Sequence, residues 1–404
     1  METNQFISNQ KEEIILFLKN TKVVNVDLII MFSDKCFMSD LTIQKLLSEK
    51  FGNTPILGCS TAGGIVGCEM HDASFILNFI KFEHSVVRKA SIAMHNEMDS
   101  FKAGQLLVEQ LNHEELSHVF VLSDGINVDG VRLVNGINSR LPLNVGVSGG
   151  MAADSYKYSS TFVSGLGNVM GSDIVSAIGL YGKDIHVQCS SFGAWSSFGN
   201  EHIVTKNNGK MVMELDGKPA LDVYKADLGI EAETVIFSKL WLPYCLIAEP
   251  KNNCVTREIT GVDTQSGSIL FADTILTGSK LKLIDTRVNA HINQAEINYQ
   301  MSSFGSSYKV PENKGLVIMV SCIGQKQNLK QLTELEIQSV STFFNQQYKF
   351  TGFYSHGEIS FDTDYSAYLF NYTDVKKVRA YAQAPLPAYS LYNQTMTVTA
   401  ISED

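Results

Sequence analysis

The chain has 404 residues, 44% of them hydrophobic and 18% charged, and a formal net charge of -10. These values describe a folded globular protein and exclude a disordered one, and the length exceeds what one core normally fills, so two domains are expected. The acidic balance, with no Lys/Arg cluster, argues against nucleic acid or an anionic membrane as partner, and no segment approaches the roughly 18 apolar residues a spanning helix needs.

Along the chain, Lys11, Glu12 and Glu13 precede a short apolar run, Ile14 to Leu18, too short and too acidic for a signal peptide. A cytoplasmic location is expected. The first strong pattern follows: the strand-like IIMFSD (Ile29 to Asp34), helical apolar spacing at Ile43, Leu46 and Leu47, then ILGCSTAGG (Ile56 to Gly64). The pattern recurs as VFVLSD (Val119 to Asp124), Val131, Val134 and Ile137, and VGVSGGMAAD (Val145 to Asp154). A third copy reads VIMVSC (Val317 to Cys322), Leu332, Leu335, Ile337, Val340 and Phe344, then TGFYSHGE (Thr351 to Glu358). Each unit is strand, helix, strand and Gly/Ser-rich turn. Continuous β-branched runs imply strands buried on both faces, and an intervening helix makes the paired strands parallel. The fold class expected is α/β (α+β): mixed sheets with flanking helices in two domains.

Between the second and third units, IHVQCSSFG (Ile185 to Gly193) reads as a strand, and the polar segment from Trp195 to Asn208 as a linker. Residues 1–200 form one expected domain with two units, and 201–404 a second with one. Tyr244 to Leu283, broken by GVD, SGS and TGS, reads as antiparallel hairpins, and Thr286 to Gln300 as a helix. Seven cysteines without a CxxC or Cys/His spacing support neither disulfides nor structural zinc.

In parallel sheets ligands gather at the carboxyl ends of strands, so the residues closing each unit are the candidate site. The glycines of GCSTAGG and GVSGGMA, with Ser60, Thr61, Ser148, Gly149 and Gly150, form either an anion-binding nest of backbone N–H groups or ordinary capped turns. Asp34, Asp124 and Asp154 are ligand acceptors or helix caps. Cys59 and Cys322 are small buried residues or, given a base, nucleophiles. Alternation along GFYSHGEIS places Tyr354, His356 and Glu358 on one face, as a polar row or as a solvated strand face. Asn393 and Thr395 would extend that row. Ser60 imitates a nucleophile elbow, but Ala62 breaks the G-x-S-x-G pattern, and Cys322 with His356 is the remaining nucleophile and base pair.

GCSTAGG, SDGINVDG (Ser123 to Gly130), GVSGGMAAD, the long segment from Ser190 to Gly229, SCIG (Ser321 to Gly324), GFYSHGEIS and YNQTMTVTAISE (Tyr392 to Glu403) occur in this order. In that series the chain resembles the FIST proteins, over essentially its whole length. The resemblance implies a non-catalytic intracellular sensory protein with an N-terminal and a C-terminal FIST domain. It further implies a small, amino-acid-like ligand and signalling to a histidine kinase, a cyclic-di-nucleotide enzyme or a chemoreceptor. A haem-binding nitric-oxide sensor is the alternative within the family, with His186, His202 and His356 nearest the motifs; a Cys or Ser hydrolase or transferase is the alternative outside it. The chain departs from the family pattern at Gly64 (often Glu), Gln325 (often Arg), His356 (usually Tyr) and Tyr392 (commonly His).

Overall fold

The computed structural model describes residues 1–22, 25–94, 99–142, 145–155, 159–192, 196–229, 232–233, 242–248, 253–272, 274–285, 314–330, 333–342, 344, 348–361, 389–392 and 395–404. All three expected units are present. In the first, Leu28–Ser33 runs parallel to Ile56–Ser60 across the helix Leu41–Phe51. In the second, Leu116–Ser123 is parallel to Gly146–Met151 across the helix Gly130–Asn138. In the third, Gly315–Cys322 is parallel to Tyr348–Ser355, with the helix Thr333–Ser341 between them. Each opening strand also takes an antiparallel neighbour on its other side: Phe75–Lys81, Ile174–Tyr181 and Met396–Glu403 respectively.

Each unit thus has its own six-stranded mixed sheet, and the three are stitched in a cycle. After its Gly/Ser turn each unit leaves its own sheet and pairs with the second strand of another. Gly64–Val66 of the first unit joins Tyr348–Ser355 of the third. Gly357–Phe361 of the third joins Gly146–Met151 of the second. Val163–Ser164 of the second joins Ile56–Ser60 of the first. The N–H groups of Ala62, His356 and Ala153 donate across these junctions to Tyr354, Met151 and Ser60 carbonyls at 3.0, 3.2 and 2.9 Å.

The continuous apolar runs follow from this arrangement. Ile30, Phe32, Phe120, Leu122, Ile318, Val320 and Phe353 of the three units meet in one core, where Phe32 stacks on Phe353 with ring centroids 4.7 Å apart. The opposite face of each sheet packs on its own helices, through Ile29, Met31 and Leu47, through Val119, Val121 and Leu133, and through Val317, Met319 and Ile337. A strand covered on both sides needs apolar residues at every position, which is what its sequence supplies.

The middle of the chain forms an eight-stranded sheet of antiparallel pairs with the helix Ala220–Leu228 and a core of its own. The hairpins expected from Tyr244 onward belong to it. Ser196–Asn208, expected as a linker, is instead a 13-residue strand of this sheet; His202 and Val204 are buried, while Glu201, Thr205 and Lys206 are exposed. Cys245 is disulfide-bonded, against the expectation from scattered cysteine spacing, while Cys36, Cys59, Cys68, Cys189 and Cys322 are free. The helix expected over 286–300 lies outside the described residues.

Candidate ligand cavity at the edge of the third unit

Most of the strand-closing residues are already engaged by backbone or side-chain groups of their own or a neighbouring unit. Ser60 donates its hydroxyl to the Ala153 carbonyl at 2.9 Å and accepts the Phe162 N–H at 3.0 Å. The Thr61 N–H donates to the Ser33 carbonyl at 3.0 Å, and its hydroxyl accepts the Gly63 N–H at 3.3 Å. Gly149 and Gly150 lie in a strand paired on both sides, so they serve sheet pairing where an anion nest was one expectation. Gly149 sits at φ +147°, and a Cβ there would lie 1.9 Å from the Val121 carbonyl oxygen, which requires glycine. Ser148 contacts His118 Nε2 at 2.7 Å and accepts from Thr399 at 2.8 Å in a fully buried polar cluster. Burial pushes the His118 pKa down to about 3, so that imidazole is neutral. Cys59 is fully buried in the central core, which pushes its thiol well up.

The aspartates resolve toward capping. Asp34 accepts the Cys36 N–H at 2.8 Å at the start of a short helix. Asp124, fully buried, accepts from the N–H groups of Ile126, Asn127 and Asp173 at 2.8, 2.9 and 3.0 Å. Asp154 ties two units together: its Oδ2 accepts from Lys35 Nζ at 3.1 Å and from the Ser159 N–H and hydroxyl, both at 2.9 Å. Burial works against that charge, but the bonds from Ser159, Lys35 and Ser160 outweigh it and hold the carboxyl well below the usual range.

The polar row expected along GFYSHGEIS does not form as one face. The strand ends at Ser355, and Glu358 belongs to a different sheet. Glu358 instead accepts from Ser355 Oγ at 2.6 Å and from Thr395 Oγ1 at 2.9 Å, so Thr395 does reach it. Its carboxyl is fully buried and its pKa raised, chiefly by burial. Tyr354 is buried beneath Lys326, whose Nζ lies 5.6 Å from the ring centroid. Asn393 lies outside the described residues.

His356 leads to the cavity. Its ring is held by the Gly125 carbonyl at 3.4 Å from Nδ1, while Nε2 lies 3.8 Å from Asp154 Oδ1. Burial lowers its pKa, against the pull of Asp154. One side of the ring lines a cavity of about 520 Å3 between the end of the second and third units and the eight-stranded sheet. Gly125, Ile126, Val128 and Met151 come from the second unit, Gln327 and His356 from the third. Lys210, Glu258, Ile259, Thr260, Leu270 and Phe271 close it from the antiparallel sheet. Cys322 stands behind this wall, its thiol donating to Glu258 Oε2 at 3.8 Å.

Sequence reasoning reached His356 and, one contact away, Cys322, but missed Lys210, Glu258, Thr260 and Gln327. Lys210 lies within the segment Ser190 to Gly229 that carries the family resemblance, and Glu258 directly follows the CVTR strand; no motif marks Thr260 or Gln327.

Of the three histidines identified in the sequence, His202 has both ring nitrogens taken by carboxylates. Both ring nitrogens of His356 face protein oxygens. Those of His202 lie 2.6 and 2.8 Å from Asp216 and Asp227 carboxylates, and His186 Nε2 pairs with Asp404 at 2.8 Å. An axial haem ligand needs a nitrogen directed at iron, which His202 does not offer.

Three interlocked strand-helix-strand units and an antiparallel sheet thus enclose one cavity of about 520 Å3. The chain belongs to the FIST family: the FIST N domain matches residues 27–218 and the FIST C domain residues 220–360. FIST domains are sensory domains that bind small ligands in signal transduction. No curated protein matches the chain. No described helix is long and apolar enough to cross a membrane.

Proposed function

We propose that this chain is a non-catalytic cytoplasmic sensor whose cavity takes a small polar, amino-acid-like molecule and reports occupancy to a signalling partner such as a histidine kinase or a cyclic-di-nucleotide enzyme. The observation that carries the reading is the cavity of about 520 Å3 that places the side chains of Lys210, Glu258 and His356 around one space. Opposite charges on one apolar-walled cavity suit a ligand with an ammonium and a carboxylate. Glu258 is the acceptor for the ammonium, Lys210 the donor for the carboxylate, and the His356 ring a neutral wall.

Occupancy has a physical route outward. The helix Ile323–Leu329 lines the cavity with Gln327, and the adjacent Lys326 donates to the Ala62 carbonyl at 2.7 Å and to Asp72 at 2.5 Å. A ligand that pulls on Gln327 therefore acts on the first unit's Gly/Ser turn, and a difference in affinity between two positions of this helix shifts their populations.

The test is a thermal-shift screen of free amino acids on the pure protein, repeated on Glu258→Gln. A ligand that raises the melting temperature of the wild type and not of the variant supports the reading. A panel of amino acids and related metabolites that moves neither protein overturns it. The visible spectrum of protein expressed with ample haem is expected to lack a Soret band.

A further inference from the structure

The cavity is larger and more apolar than one free amino acid requires. At about 30 Å3 per water molecule, its roughly 520 Å3 holds well over a dozen water-sized groups. It lies within the ~300–1,000 Å3 span of sites that enclose drug-sized molecules. A single small amino acid would leave most of that volume wet and would cover little of the wall. Ile126, Val128, Met151, Leu270 and Phe271 make that wall apolar on both sides, and Leu270 is 39% exposed.

The second observation is a strand edge. Ile259–Asp263 pairs, among the described residues, only with Ser268–Phe271, so it ends its sheet. Its ladder slips between Ile259 and Gly261, leaving Thr260 out of register, and Ile259 and Thr260 both line the cavity. An edge strand leaves one row of main-chain N–H and C=O groups outside its own sheet, to which an extended backbone can add, the mode by which peptides join sheets. An amino acid has no peptide group to use them; a short peptide does. The charges of Lys210 and Glu258 then suit the two termini, and the apolar wall suits a side chain between.

Resting on the sensor reading above, we propose that the ligand class of this cavity is a short peptide, of two or three residues, with free termini and at least one apolar side chain.

The test is calorimetric titration of the full chain with L-Ala-L-Leu, its N-acetyl and C-amide forms, and free L-leucine and L-alanine. The dipeptide is expected to bind, the free amino acids to bind about tenfold more weakly or worse, and blocking either terminus to cost a similar factor. Glu258→Gln should weaken the free dipeptide and leave the N-acetyl form unchanged; Lys210→Gln should do the same for the C-terminus and the amide. Lys210 is half-buried at the rim, so its variant keeps the experiment readable even if Glu258→Gln folds poorly, and melting curves without ligand monitor both. Free leucine binding as tightly as the dipeptide overturns the peptide proposal and leaves the sensor reading standing. Dipeptide affinity unchanged in both variants overturns the placement of the termini. No binding by any probe overturns the proposal and the reading on which it rests.

Discussion

Replacing Glu336 by Gln should make the protein less sensitive to alkali, by an amount that follows from where the carboxyl sits. Glu336 is fully buried, accepts from Ser321 Oγ at 3.1 Å and faces Gln325, and burial pushes its pKa from 4.5 up to about 8. The unfolded chain releases this proton near 4.5; the folded protein keeps it to about pH 8. Between those values the native state binds the extra proton, so stability falls as pH rises, by about 1.4 kcal/mol per pH unit for one group. Over the whole window that amounts to on the order of 3 to 5 kcal/mol, lost by pH 8 to 9. Glutamine keeps the shape and an oxygen for the Ser321 hydroxyl but has no proton to lose. Urea unfolding from pH 5 to 9, followed by circular dichroism, should show the variant gaining on the wild type through pH 8 and then holding level. Parallel stability curves would refute the reasoning, because they would mean that the wild-type carboxyl ionises in the fold as it does in water. A second variant isolates the cause. Arginine often stands at position 325 in the family pattern, and a guanidinium there would stabilise the Glu336 charge; Gln325→Arg should flatten the same pH slope without touching the carboxyl.

Three further outcomes concern Gly149 and Asp154 in the second unit and His202 in the antiparallel sheet. Gly149→Ala, which sets a Cβ against the Val121 carbonyl, should cost more than about 3 kcal/mol in urea unfolding, whereas Gly67→Ala, at φ +61° with no atom within 4 Å, should cost only about 1 kcal/mol. Asp154→Ala removes the carboxylate that binds Lys35 and Ser159 and should lower stability by about 2 to 4 kcal/mol, with the His356 ring losing its neighbour and broadening in NMR spectra. His202 is drawn in the opposite direction from Glu336: burial disfavours its charge, but Asp216 and Asp227 outweigh burial and raise its pKa. Its contribution is therefore complete below pH 6.5 and lost as pH rises through the folded value; His202→Gln should cost on the order of 2 kcal/mol at pH 6 and little at pH 9.

What the sequence made legible is the unit, and what it concealed is the exchange between units. IIMFSD, VFVLSD and VIMVSC announce buried parallel strands because no exposed face dilutes their apolar residues, and all three pair in parallel as that pattern demands. The Gly/Ser turns carry no such signal of destination. Period-two alternation through GFYSHGEIS assumes one continuous strand, yet the chain changes sheets between Ser355 and Gly357, so Glu358 meets Ser355 and Thr395 where the alternation pairs it with Tyr354. The same exchange explains why polar strand ends recur. Ser60 takes the Phe162 N–H of the unit that arrives there, while Asp124 and Asp154 take N–H groups of the segments that follow them in their own unit. A motif repeated three times for stitching cannot by itself mark a site used once. The cavity lies where the repetition fails: the third unit faces the antiparallel sheet, and there His356 and Gln327 meet Lys210 and Glu258 across open space. Lys210 lies in the turn between two strands and Glu258 between two others, positions that read as ordinary solvated connections, so only the three-dimensional closure of the second sheet onto the third unit distinguishes them from surface residues. Under the proposed reading the ligand sits at the break in the threefold pattern, so the residues to vary first are the ones with no counterpart in the other two units.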